Sequence, residues 1–197
     1  SFVSRGLGDV YKRQVDTIGH RYGPNSSEVI DSIIEVDEAI GHLLNGLEER
    51  GILNDVNLLI VSDHGMVETP ADQIINIADY IDLDSVVTIG GGPFMEIRPN
   101  DNDIENIYQQ LQNIDYTQVF KKEDFPEKFN YSNNDRIEPI IFLADEGWSI
   151  QKPGRSPSPG THGYDPDYKS MDGIFIARGP GFKENFDGPQ IQGIHLY

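Results

Sequence analysis

An α/β domain is the fold class this sequence predicts, on three observations. Residues 25–50 carry Val29, Ile33, Val36, Ile40, Leu43, Leu44 and Leu47 at three- and four-residue spacing, the apolar stripe of a helix that lays one face on a core. A short turn over 52–55 then leads into Val56-Asn57-Leu58-Leu59-Ile60-Val61-Ser62, an apolar run with the length of a buried parallel strand. Helix, turn and strand make half of a βαβ unit. Where that strand ends stand Asp63, His64 and Gly65, and in open α/β sheets ligands bind outside the carboxyl ends of the strands.

Composition narrows the function. The chain has 197 residues, 37% of them hydrophobic and 24% charged, the size of one domain with a core of its own. Its net charge of −18 argues against a nucleic-acid polymer or an anionic membrane surface as main partner. A small anionic substrate is still admissible, because bound metal ions invert the local field. There is no cysteine, hence no disulfide and no thiolate ligand. No apolar run approaches the roughly 18 residues of a membrane span. Residues 1–14, SFVSRGLGDVYKRQ, carry three basic residues against one acid, the reverse of the rest. That string resembles the translation of a sequencing adapter, against the plainer reading of a basic N-terminal arm. It is expected to lie outside the fold and to pack on nothing, as a fusion scar does.

In chain order, residues 15–24 read as a ligand-bearing loop closed by Gly23-Pro24. The long helix follows, with Asn25 as N-cap and Glu28 three residues on in capping-box position, and with Arg50 and Gly51 ending it. After the anchor strand, residues 74–80 read as a short helix. Residues 86–89 and 94–98, around Gly90-Gly91-Gly92-Pro93, read as a hairpin-like pair of strands. A helix is expected over 101–113, with Ile104, Ile107, Tyr108 and Leu111 on one face. A short strand is expected at 118–120, a polar loop over 121–135 and a strand over 138–144. A Pro/Gly-rich loop spans 151–160. Residues 173–177 read as a further buried strand, and 194–197 as the start of an element.

Three stretches carry the chemistry: Asp16-Thr17-Ile18-Gly19-His20, Asp63-His64-Gly65 and Thr161-His162-Gly163. Each sets a histidine beside a glycine. Carboxylate oxygen with imidazole nitrogen is a donor mix that suits Zn²⁺. Asp16 and His20 would share a face on a helix and would converge by tight turning in a loop. Each stretch alone has a bland alternative, a polar loop or a turn-capping aspartate. The three together offer five candidate ligands. His42 falls off the apolar stripe and reads as solvent-facing. His195 has no partner in sequence. Asp31, Glu35, Asp37 and Glu38 read as a solvated helix face.

With these stretches in order, the chain resembles the nucleotide pyrophosphatase/phosphodiesterase family of the alkaline phosphatase superfamily. The resemblance rests on Asp16-x-x-x-His20-x-x-Gly23-Pro24, Ser27-Glu28-Val29 and Val61-Ser62-Asp63-His64-Gly65-Met66. It continues through Asp135-Arg136-Ile137-Glu138-Pro139, Gly160-Thr161-His162-Gly163-Tyr164-Asp165 and Gly179-Pro180-Gly181-Phe182. Val15 departs from the family, where proline is usual. The resemblance implies a partial alkaline-phosphatase-like sheet with flanking helices, lacking its N-terminal portion. Residues 15–197 would be the C-terminal part of a phosphodiesterase catalytic domain, incomplete at both ends. It implies two Zn²⁺: one held by Asp16, His20 and His162, the other by Asp63 and His64 together with an upstream aspartate and the nucleophilic threonine or serine. Neither Thr17 nor Thr161 sits on the strand-to-helix turn where the family keeps that nucleophile, so no catalytic residue is expected in this stretch. The implied reaction is hydrolysis of phosphodiester or pyrophosphate bonds in small-molecule, nucleotide-type substrates, at a periplasmic, extracellular or surface-anchored location. The rival readings are a phosphomonoesterase or phosphoglycerate mutase of the same superfamily, and a non-catalytic metal-binding remnant.

Overall fold

The computed structural model describes the backbone of residues 7–193 and the side chains of residues 15–193. The first two elements are helices, α1 (Leu7–Tyr22) and α2 (Ser27–Glu49). Residues 15–22 are therefore helical, not the loop the sequence suggests. Gly19 explains the difference: a Cβ there would lie 2.5 Å from the Met66 sulfur, so this glycine serves close packing and not a turn. The helix stops at Gly23, whose φ of +89° favours glycine and whose N–H donates to Gly19 O at 2.9 Å. Ser26, not Asn25, caps α2. Its Oγ accepts from Val29 N at 3.3 Å and donates to Gly23 O at 2.8 Å, while the Asn25 side chain turns to Glu68. At the other end Gly51 N–H donates to Glu48 O and Ile52 N–H to Leu47 O, at 2.8 and 3.1 Å. These are the two bonds of a Schellman cap.

The remaining elements are β1 (Leu58–Val61), β2 (Val67–Glu68), β3 (Ile74–Asn76), β4 (Val86–Gly91), β5 (Phe94–Pro99), α3 (Ile104–Leu111), β6 (Thr117–Lys121), β7 (Ile140–Ala144), β8 (Ser149–Gln151), β9 (Gly160–Thr161) and β10 (Phe175–Arg178). An antiparallel sheet in the order β4-β5-β7-β6 forms the densest part, with β3 pairing parallel to β8 beside it. Residues 74–80, expected as a helix, are β3 followed by a 3₁₀ turn. The β-branched pair Ile74-Ile75 fits a strand better than a helix. In β7, Ile140, Phe142 and Ala144 join one core with Met95, Ile97, Ile107, Leu111 and Ile150. Ile141 and Leu143 join a second with Phe125 on the opposite face, as the alternation of a strand dictates. Asp103 caps α3, its carboxylate accepting from Asn106 N at 3.2 Å, so that helix starts later than the sequence suggests.

The anchor strand differs from expectation in direction and burial. β1 pairs antiparallel with β10, Leu59 opposite Ala177 and Val61 opposite Phe175. Leu59 and Val61 are 45% and 48% exposed, and β10, also expected to be buried, is largely exposed. An apolar run does not encode the direction of its partner; the route of the chain between the two strands does. The stripe of α2 is likewise open: Val29 and Ser32 are its buried residues, while Ile33 and Leu43 are exposed. Asp31, Glu35, Asp37, Glu38 and His42 are exposed, as expected. His195 and residues 194–197 lie outside the described residues.

Candidate metal centre

Three backbone segments bring the five predicted residues together. Asp16 and His20 share a face of α1. Asp63 and His64 follow β1, and His162 follows β9. Pairing of β2 with β9 sets Val67 opposite Thr161, which draws the loop after His64 against the residue before His162. The His20 Nδ1–H donates to Gly160 O at 2.8 Å and fixes α1 onto the same ribbon. That bond also settles the tautomer, leaving the His20 Nε2 lone pair free to face the cluster.

Glycines make this closeness feasible. A Cβ on Gly160 would lie 2.5 Å from Gly19 O and 3.0 Å from the Met66 sulfur. A Cβ on Gly65 would collide with Ser170 O and lie 2.9 Å from Asp172 O. Gly65 N–H donates to Met171 O at 3.0 Å, and Ser62 Oγ accepts from Ile174 N at 2.8 Å, so the Asp63-His64 loop is clamped from both sides. The sequence shows a glycine beside each of His20, His64 and His162. It does not show that Gly19, Gly65 and Gly160 are required for backbone approach, nor that Met66 fills the space between two of them.

The geometry is compact. Asp16 Oδ1 lies 3.5 Å from His20 Nε2 and 3.3 Å from His162 Nε2, and the two imidazole nitrogens are 3.2 Å apart. His64 stacks on His162 with ring centroids 3.6 Å apart. The His64 Nδ1–H donates to Gly65 O at 2.8 Å, and its Nε2 lies 3.5 Å from Asp63 Oδ2. The ligand atoms of Asp16, His64 and His162 also fall within 4.8 Å of one another. So beside the expected trio and pair there is a second grouping, which puts His64 with Asp16 and His162 and leaves out His20.

These residues fit a metal ion on two observations. Ligands of a tetrahedral zinc at about 2.0–2.1 Å are roughly 3.3 Å apart, the size of the Asp16–His20–His162 triangle. Asp16 Oδ1 is also buried without a hydrogen-bond donor. It is within ion-pair distance of both imidazoles, but no N–H is aimed well at it, and an orphaned buried carboxylate oxygen calls for a partner. Burial holds His162 below the usual imidazole range, with His64 and His20 adding to the effect and Asp16 and Asp63 opposing it. A neutral imidazole is the form that ligates.

An α/β fold that gathers carboxylates and imidazoles at helix and strand ends defines the class, a candidate metal-site protein. Comparison with known proteins gives the family. The sequence model of the type I phosphodiesterase / nucleotide pyrophosphatase family matches residues 6–165, and the chain belongs to that family. Human ectonucleotide pyrophosphatase/phosphodiesterase family member 5 is 36% identical over 193 residues, 97% of this chain and 40% of the relative. Human bis(5'-adenosyl)-triphosphatase is 36% identical over 190 residues, 95% of this chain and 42% of the relative. Among solved structures, an inactive variant of murine ectonucleotide pyrophosphatase/phosphodiesterase 5 in complex with AMP matches with a TM-score of 0.82 and 36% identity, over 87% of this chain and 46% of that one. The chain thus spans about 40% of the length of these two curated relatives. Their names are those of phosphodiesterases and pyrophosphatases, which are hydrolases. Among the described residues no helix is long and apolar enough to cross a membrane.

Proposed function

We propose that this chain is part of a zinc-dependent phosphodiesterase that hydrolyses phosphodiester or pyrophosphate bonds of small nucleotide-type substrates outside the cell. Asp16, His20 and His162 hold one zinc, and Asp63 and His64 contribute to a second. The observation that carries the reading is the triangle of 3.5, 3.3 and 3.2 Å among Asp16 Oδ1, His20 Nε2 and His162 Nε2. Zinc bound there supplies positive charge to a reacting phosphate and lowers the pKa of an attacking hydroxyl. The protein's own part is orientation. The Gly160 carbonyl aims His20, the Gly65 carbonyl aims His64, and helix α1 keeps Asp16 one turn from His20. The relatives support the substrate class, one named for a bis-adenosyl triphosphate and one bound to AMP. The "ecto" in the names of the human and murine member 5 relatives supports the location.

The stretch alone is expected to bind zinc without turnover. Thr17 is exposed, one residue and about 100° round the helix from Asp16. Thr161 is in β9 and, by strand alternation, faces away from His162. The test is a calorimetric zinc titration beside an assay on p-nitrophenyl thymidine monophosphate. About one tightly held zinc per chain, without turnover, is expected. No zinc uptake by folded protein would remove the ligand assignment. Turnover equal to that of a full-length relative would remove the inactivity. The same proposal takes residues 15–197 as the native part of the fold. The backbone is helical from Leu7 and the family match starts at residue 6, so deletion of residues 1–14 is the discriminating measurement. A change within about 0.5 kcal/mol supports the division, and a larger loss refutes it.

A further inference from the structure

Next to the metal centre lies a cavity of about 440 Å³ whose lining includes Gly91, Gly92, Lys152, Arg155 and Thr161. We propose that this cavity binds a phosphoryl anion through Lys152 and Arg155. Lys152-Pro153-Gly154-Arg155 is a tight turn. Arg155 N–H donates to Lys152 O at 3.2 Å, and Gly154 has φ +78°, the conformation a type II turn demands at its third position. The turn's first and last residues are the two cations, so the backbone brings them side by side before any ligand arrives.

Neither cation is neutralised. The protein has 33 aspartates and glutamates. Lys121, Lys128 and Arg98 each meet a carboxylate, on Glu105, Asp165 and Glu138. Among the described residues, Lys152 and Arg155 have no such partner. The cavity lining adds the hydroxyl residues Ser156, Ser158 and Thr161 and contains no acidic residue. Paired cations with hydroxyl donors and no competing carboxylate are the chemistry that recognises phosphate. The lining also includes Gly90-Gly91-Gly92, with φ values of +87°, +147° and +76°, a backbone without side chains that an anion can approach closely. Gly92 and Ile150 exchange both backbone bonds, at 2.8 and 2.7 Å, which holds that stretch in place.

Position suggests a source for the anion. Thr161 is directly followed by His162, and a Cβ on Gly163 would lie 3.4 Å from Pro93 Cγ, so the glycine stretch abuts the His162 loop. A distal phosphoryl group of a substrate is one source, and this assignment rests on the function proposed above. Free phosphate is the other.

The test is calorimetric titration of the full chain with tripolyphosphate and with orthophosphate, first without zinc. Lys152→Ala and Arg155→Ala are each expected to weaken binding about tenfold. Arg155→Lys should recover part of it, and Lys183→Ala, an exposed cation elsewhere, should change nothing. His162→Ala should be silent without zinc, so failed zinc uptake marks failure of the metal reading and leaves this site standing. With zinc present, strengthening of tripolyphosphate alone assigns the site to a substrate's tail. Equal behaviour of the two anions in a zinc-loaded chain assigns it to free phosphate. Binding indifferent to Lys152→Ala and Arg155→Ala in variants of unchanged circular dichroism overturns the proposal. Equal losses with Lys183→Ala, which would report net charge alone, do the same.

Discussion

β7 and β1 are built from the same kinds of residue, Ile-Ile-Phe-Leu-Ala and Leu-Leu-Ile-Val, and they end at opposite extremes of burial. Every residue of β7 is buried, with Ile140, Ile141 and Phe142 at 0% exposure, whereas Leu59 and Val61 of β1 are about half exposed. β7 has a partner strand on each edge and a hydrophobic cluster on each face. Among the described residues β1 has one partner, β10. Burial is thus a property of the layers around a strand. The region of residues 74–151 is held by packing, and the region that carries the candidate metal centre is held by specific backbone contacts: the Gly65 clamp, the β2–β9 ribbon and the Gly160–His20 hydrogen bond.

This contrast is open to measurement. Phe142→Ala leaves a hole in a filled core and is expected to cost about 3–5 kcal/mol in urea unfolding. Leu59→Ala should cost less than about 1 kcal/mol, and equal losses at the two positions would erase the distinction. Gly65→Ala tests the other mode of support. The new methyl meets the carbonyl of Ser170, a backbone atom that cannot swing aside. A loss of about 1–3 kcal/mol is expected, with weaker zinc uptake because His64, which stacks on His162, moves with residue 65. Retention of both stability and zinc uptake would refute the clamp. Ser26→Ala removes the α2 cap and should cost about 1 kcal/mol, read in the same unfolding assay.

The smallest effect is one of pH. His162 has a folded pKa below its ordinary value of 6.5. Above 6.5 it is neutral in both states and contributes no pH dependence. As pH falls below 6.5 the unfolded chain takes up the proton first, so metal-free protein loses stability until pH passes the lowered folded value. The urea midpoint should therefore drop on acidification through this window, and His162→Ala should drop less. A variant that follows the parent protein point for point would show that burial of His162 has no such consequence.

Local signals in the chain determined much of this. Gly23-Pro24 stops α1 and Gly51 stops α2, because a left-handed residue or a missing N–H ends a helix wherever it falls. The β4–β5 pair is legible from its glycines and alternating apolar residues. The five Asp and His residues are legible as candidate ligands by type, and the order of their motifs carries the family. Tertiary structure alone decided the rest. That α1 is a helix through Asp16 and His20 depends on Gly19 fitting against Met66, a contact between distant segments. That β1 runs antiparallel to β10 depends on the path of the chain between them. His20 and His162 are 142 positions apart and meet at 3.2 Å because β9 pairs with β2 and Gly160 accepts from His20. Residue type and local spacing record which atoms are able to bind a metal. Only the long-range pairing of strands, which no local window contains, decides whether those atoms face one another.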